Sequence, residues 1–147
     1  MLSLTKKTGY GLIAMTHLAG LPENELASAR EIAQHFDVPV SLLMNVLKEL
    51  AAAGYVESVR GAHGGYRVAR DPREISLADL ITAMEGPIRL AECVAEEHRS
   101  SDSQPCRLLD RCPVADPIHQ VQRRLSDFLR TVSLAEIVRP VWKTAGR

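Results

Sequence analysis

No run of this 147-residue chain stays apolar for the eighteen or so residues that a membrane-spanning helix needs, so no membrane partner is expected. The chain also lacks the charged, apolar, small-residue succession of a secretory leader, and a cytoplasmic location is the expectation. Catalytic signatures are missing too: there is no glycine-rich phosphate loop after a strand, no HExxH, no GxSxG and no pair of acids set in an apolar stretch. An enzyme is therefore the most distant reading. There is no low-complexity tract and no clear internal repeat. Neither sign of charge is in excess, since 18 Lys and Arg balance 18 Asp and Glu, and this argues against nonspecific coating of nucleic acid. Cysteine is scarce, with three residues and no CxxC knuckle of the structural-zinc type.

What is present begins with a 46% hydrophobic content, enough for one core with an extended helical appendage. A first helix is predicted from about Thr5 to Ala19, with Leu12, Ile13, Met15 and Leu18 as its apolar members. Gly9 and Gly11 each weaken that helix by roughly 1 kcal/mol relative to alanine, so close packing against a neighbour is expected at both. Ser28 and Glu31 form a capping box that opens a second helix, with Ile32, Ala33 and Phe36 on one face. Asp37-Val38-Pro39 ends it. A third helix then runs from Val40 to about Ala53 and stops at Gly54.

Two short helices around so tight a turn make a helix-turn-helix. In the third helix Leu43, Val46, Leu47 and Leu50 recur at three and four, a stripe for burial, and Ser41, Met44, Asn45 and Lys48 occupy the opposite face. In a major groove, Ser41 and Lys48 suit phosphates and Asn45 suits an adenine edge. The alternative for this face is plain solvation.

The following segment sharpens the choice. Tyr55 to Val59 and Tyr66 to Arg70 are alternating β-forming runs, and between them Gly61, Gly64 and Gly65 supply a turn tip. Arg60 and His63 belong to that tip, and Arg67 and Arg70 lie beyond it. This is the pattern of a wing beside a recognition helix, with a solvated surface hairpin as the bland alternative. Charge is distributed accordingly: Glu57 to Arg73 holds four arginines against two acids, whereas Glu74 to Asp116 holds four basic against nine acidic residues. A basic wing and an acidic middle fit local contact with double-stranded DNA.

Ser76 caps a short helix that closes near Gly86-Pro87. Beyond it Cys93, Cys106 and Cys112 fall within twenty residues, in a stretch whose Ser100, Ser101, Asp102, Ser103, Gln104 and Pro105 cannot build a core. In a reducing compartment the open readings are an iron–sulfur cluster, zinc or copper(I) ligation, thiol redox chemistry, or three bystander thiols. From Val114 the series Ile118, Val121, Leu125, Phe128 and Val132 keeps a four-three spacing, the seam of a helix that pairs with another helix. Leu134, Ile137, Val138, Val141 and Trp142 continue as an apolar tail, with Trp142 expected on a partner subunit. A homodimer is expected, because two-fold protein symmetry matches a palindromic operator.

Taken together, Leu4-Thr5-Lys6-Lys7-Thr8 with Tyr10, then Ile32-Ala33, then Ser58-Val59-Arg60-Gly61 with Gly64-Gly65-Tyr66, resembles the Rrf2 family of bacterial winged-helix regulators. The resemblance covers nearly the whole chain. It implies a mainly α fold with a small β-hairpin wing and a long C-terminal dimerisation helix. It divides the chain into a winged helix-turn-helix over 1–75, a linker helix and cysteine loop over 76–113, and a dimerisation helix with tail over 114–147. It further implies that Cys93, Cys106 and Cys112 ligate an iron–sulfur cluster, 2Fe-2S in preference to 4Fe-4S, in a repressor or activator of cluster-assembly genes, or of nitrosative-stress genes. The alternative within the fold is a cluster-free thiol switch or apo regulator. The chain departs from cluster-binding members in having twelve rather than five residues between its first two cysteines, and in carrying Ala115 and Gly9 where a fourth ligand stands in some of them. His98, Asp116 and His119 are the substitutes at hand.

Overall fold

Thr5 starts the first helix: its side-chain oxygen accepts the Thr8 backbone N–H at 3.3 Å, and α1 runs Lys6–Ala19. The computed structural model describes residues 4–91, 94 and 106–138. Close packing accounts for Gly11, where a Cβ would strike the Met84 side chain and crowd Val46 at 3.2 Å. It does not account for Gly9, around which 4 Å of space is open.

The Ser28 capping box forms in both directions, with Ser28 N–H donating to Glu31 Oε2 at 2.7 Å and Glu31 N–H to Ser28 Oγ at 3.1 Å. It opens α2, Ala29–Phe36. Asp37 closes this helix in the left-handed region at φ 53, a conformation aspartate tolerates better than most residues. Pro39 then leads into α3, Val40–Ala52, whose Leu43, Val46, Leu47 and Leu50 are buried as their spacing requires. Phe36 departs from expectation. It remains 40% exposed, because the last residue of α2 projects past the core and is covered edge-on by the imidazoles of His17 and His35, at centroid distances of 5.5 and 4.6 Å.

After the left-handed Gly54 the chain forms an antiparallel hairpin, β1 Val56–Val59 and β2 Gly65–Val68, in which Val56 faces Val68 and Glu57 faces Arg67. Each strand is shorter than its alternating run. The Ala69 N–H still reaches the Tyr55 carbonyl at 3.0 Å, but Arg70 turns out over the Tyr55 ring. The hairpin is docked on the domain through Ala27, which exchanges backbone hydrogen bonds with Tyr66 at 3.1 and 2.8 Å. Gly65 permits this approach, since a Cβ there would lie 2.9 Å from the Ala27 backbone.

A second two-way capping box, Ser76 with Asp79, starts α4, Leu77–Glu85. Further on, α5 spans Ala115–Thr131 and has no buried residue. The chain then returns to the domain it left: Val132 accepts the Leu77 N–H and Ile75 accepts the Leu134 N–H, both at 2.8 Å. The short α6, Leu134–Val138, thereby places Leu134 in the core and packs Val138 against it. Leu134 is fully buried beside Met15, Ile32, Leu43, Leu47, Leu50, Ile75 and Leu80, and each such aliphatic side chain contributes about 1.5–3 kcal/mol. The tail thus adds to the core of its own chain, while Val141 and Trp142 lie outside the described residues.

Candidate nucleic-acid interface

The face of α3 opposite the core is solvent-accessible throughout. Ser41, Asn45 and Lys48 are exposed, the arrangement anticipated from spacing alone. Three apolar side chains share the helix surface with them, Val40, Leu42 and Met44, exposed by 39%, 48% and 40%.

The wing distributes its charge unevenly. Arg67 Nε donates to Glu57 Oε2 across the hairpin at 2.8 Å, and this bond holds the Glu57 carboxyl below its ordinary range and raises the guanidinium. Arg73 grips Asp71 at 2.6 Å and lowers that carboxyl to about 2. Arg70 lies over the Tyr55 ring, 5.0 Å from its centroid. Arg60 and His63 are both exposed at the tip, and Arg60 has no ion pair among the described residues. Of the wing arginines it therefore presents the least compensated charge. The tip itself requires glycine: Gly61 sits at φ 133, and a Cβ at Gly64 would meet the Val59 carbonyl.

A cleft of about 410 Å³ separates α3 from the wing, lined by Arg30, Val40, Met44, Ser58, Arg60 and the tip glycines among others. Arg30 is exposed in the first turn of α2. The spacing of α2 alone assigns Arg30 only to a solvated surface, because its relation to the wing arises from tertiary packing.

Side-chain hydrogen bonds tie α4 to α1, and α5 to the segment that follows α4. Glu85, at the end of α4, accepts from the Thr5 N–H at 2.9 Å, from the Thr5 hydroxyl at 2.5 Å and from the buried Thr8 hydroxyl, while Lys7 on the same helix turn reaches Glu49 of α3 at 3.0 Å. On the other side, Gln122 of α5 binds the segment that leaves α4: its Nε2 donates to the Ile88 carbonyl at 2.5 Å and its Oε1 accepts the Leu90 N–H at 2.8 Å.

Of the three cysteines, Cys106 is exposed and Cys112 half-buried, bracketing a 3-10 turn, Leu109–Arg111, just before α5. Cys93 and His98 lie outside the described residues. Asp116 and His119 follow on the first turns of α5. Among the described residues no three His, Cys, Asp or Glu side chains gather at one point. Thiolates are nevertheless the soft donors that an iron–sulfur cluster takes, and both described thiols are accessible, so the donor chemistry fits.

The family model for Rrf2, described as an iron-dependent transcriptional regulator, matches residues 4–140. The chain belongs to the Rrf2 family. Solved structures agree along nearly the full length. CymR, the global cysteine regulator of B. subtilis, is 28% identical, with 94% of this chain and 97% of that one covered and a TM-score of 0.73. IscR of T. potens is 26% identical over 99% and 93% of the two chains, with a TM-score of 0.71. The oxidised form of Staphylococcus aureus CymR is 26% identical over 95% and 98%, with a TM-score of 0.70. As an Rrf2 member the chain is a transcriptional regulator and not an enzyme, and its helical fold with a two-stranded hairpin is the winged helix of that family. No described helix is long and apolar enough to cross a membrane.

Proposed function

We propose that this Rrf2 regulator is a cytoplasmic homodimer that binds a palindromic operator through Ser41, Asn45 and Lys48 of α3 and Arg60, His63 and Arg67 of the wing. The observation that carries the reading is the accessible polar face of α3 set beside a glycine tip whose Arg60 has no ion pair among the described residues. Residues 1–75 form the DNA-binding unit, 76–113 the sensing segment and 114–147 the dimerisation helix and tail. Support for dimerisation comes from Val114, which caps α5, and from Val121 and Phe128 on that helix, spaced by seven and 57%, 50% and 62% exposed.

The sensing element is the cysteine loop, with Cys93, Cys106 and Cys112 as ligands of an iron–sulfur cluster, 2Fe-2S in preference to 4Fe-4S, and cluster-assembly genes as the targets. A bound cluster supplies an oxidant-, nitric-oxide- and iron-sensitive cross-link between its thiolates. The chain's own residues carry the consequence: Gln122 ties 88–90 to α5, Glu85 ties α4 to α1, and Lys7–Glu49 ties α1 to α3. A constraint placed on the loop thereby biases the separation of two recognition helices. The second reading, a cluster-free thiol regulator, is favoured by the likeness to CymR, of which an oxidised form is among the similar structures.

Anaerobic purification with an absorption spectrum and an iron and sulfide assay separates the two, because a cluster-bearing protein is coloured and contains iron. DNA contact is tested on duplexes enriched from a random library. Lys48→Ala should weaken binding evenly across sequences and flatten the salt dependence by about one unit of slope, whereas Arg60→Ala should relax sequence preference. Equal binding by wild type and both variants would remove this surface from the reading.

A further inference from the structure

Val40 and Met44, the apolar residues of α3 beside the wing, belong neither to the buried core nor to the side chains packed against it. Val40 and Met44 lie one turn apart on α3, at 39% and 40% exposure, and both line the cleft facing Arg60 and the tip glycines. The core is already filled from the same helix by Leu43, Val46, Leu47 and Leu50, so this pair is additional to the buried stripe. Two cations line the cleft, Arg30 on α2 and Arg60 on the wing, and neither makes an ion pair among the described residues. A cleft lined by two cations and by two apolar side chains of α3, the helix that also exposes Ser41, Asn45 and Lys48, suits one edge of a DNA major groove. There the phosphates lie outermost and the only apolar group on a base edge is the thymine 5-methyl.

We infer that Val40 and Met44 read thymine methyl groups at the wing-proximal edge of each half-site, with Arg30 holding a phosphate beside them and Arg60 entering the groove from the wing. This deepens the DNA-binding reading above and rests on it. Asn45 and Lys48 then address the adjacent positions by hydrogen bonding and charge, so recognition within one helix is divided between an apolar and a polar sector.

The test uses the full-length protein and the duplex it enriches most from a random library, remade with 2′-deoxyuridine in place of each thymidine in turn. Uracil keeps every hydrogen-bonding group and lacks only the methyl. At one or two positions per half-site, uracil should weaken wild-type binding roughly fourfold, the equivalent of one buried methyl group. Met44→Ala should weaken binding to the thymine duplex by a similar factor and show no further loss on the uracil duplex, because the contact has already gone. Val40→Ala should behave alike at its own position. Wild-type protein that binds all uracil duplexes as well as the parent, or losses from Met44→Ala and uracil that multiply independently at every position, would overturn the inference while leaving DNA binding intact. A wild type that enriches no duplex would overturn the DNA-binding reading and this inference with it. Both side chains are exposed and alanine is a better helix former than either, so circular dichroism should show the variants folded.

Discussion

Gln122 of α5 and the Ile88 backbone are joined by a 2.5 Å hydrogen bond, and the same amide receives the Leu90 N–H at 2.8 Å. One side chain thus satisfies a donor and an acceptor on the stretch of chain that leads from α4 toward the cysteines. Gln122→Ala leaves both backbone groups without this partner in a partly buried position, and a loss of about 1–3 kcal/mol is expected in urea unfolding. If the tie also conveys the state of the loop, the variant should bind DNA with an affinity that no longer responds to oxidant or iron. An unchanged response would place the coupling elsewhere.

Glu85 stabilises the start of α1 more strongly as a carboxylate than as a neutral acid. Hydrogen bonds from the Thr5 side chain first, then Thr8 and the Thr5 backbone, hold its carboxyl below the ordinary value of 4.5. A group whose folded pKa is depressed contributes stability above its unfolded value and loses it as pH falls through the folded one. Glu85→Gln should therefore lower the melting temperature at neutral pH and reduce the acid dependence below about pH 4.5. Parallel melting-temperature profiles for variant and wild type across the acid range would show that the tie is not energetically significant.

Leu125 lies half-buried in the middle of the α5 seam. Leu125→Asp should place a charge in the helix pair, at a cost of several kcal/mol unless it is protonated or paired. Sedimentation should then show monomer, with loss of palindrome binding and an unchanged helical spectrum. A dimer that survives would mean that the seam packs within its own subunit.

The cysteines separate ligand from bystander. Cys93→Ala, Cys106→Ala and Cys112→Ala should each abolish visible absorption in anaerobically purified protein, because each removes one of few bonds to the cluster. Alanine at the accessible Cys106 and Cys112 should change folding stability by less than about 1 kcal/mol, leaving folded variants whose DNA binding ignores iron. A disulfide switch gives another pattern, in which one of the three substitutions is silent.

Local chemistry is legible in the residues themselves. Ser28 and Glu31, Ser76, Asp37-Val38-Pro39 and the tip glycines act over three or four residues, so their capping and turning follow from residue type alone. The three-four stripe of α3 places Leu43 and Leu50 inside and Lys48 outside for the same reason, since one helix surface has one period. What pairs across distance is not legible. Gly9 and Gly11 look alike in sequence, yet only Gly11 meets Met84, which comes from a helix far along the chain. Arg67 and Arg60 are equivalent wing arginines until the hairpin register sets Glu57 opposite Arg67 and leaves Arg60 without an ion pair among the described residues. Periodicity specifies which side of an element is apolar. Only tertiary packing decides which surface covers it, as the burial of Leu134 within its own chain and the exposure of Phe128 on α5 demonstrate.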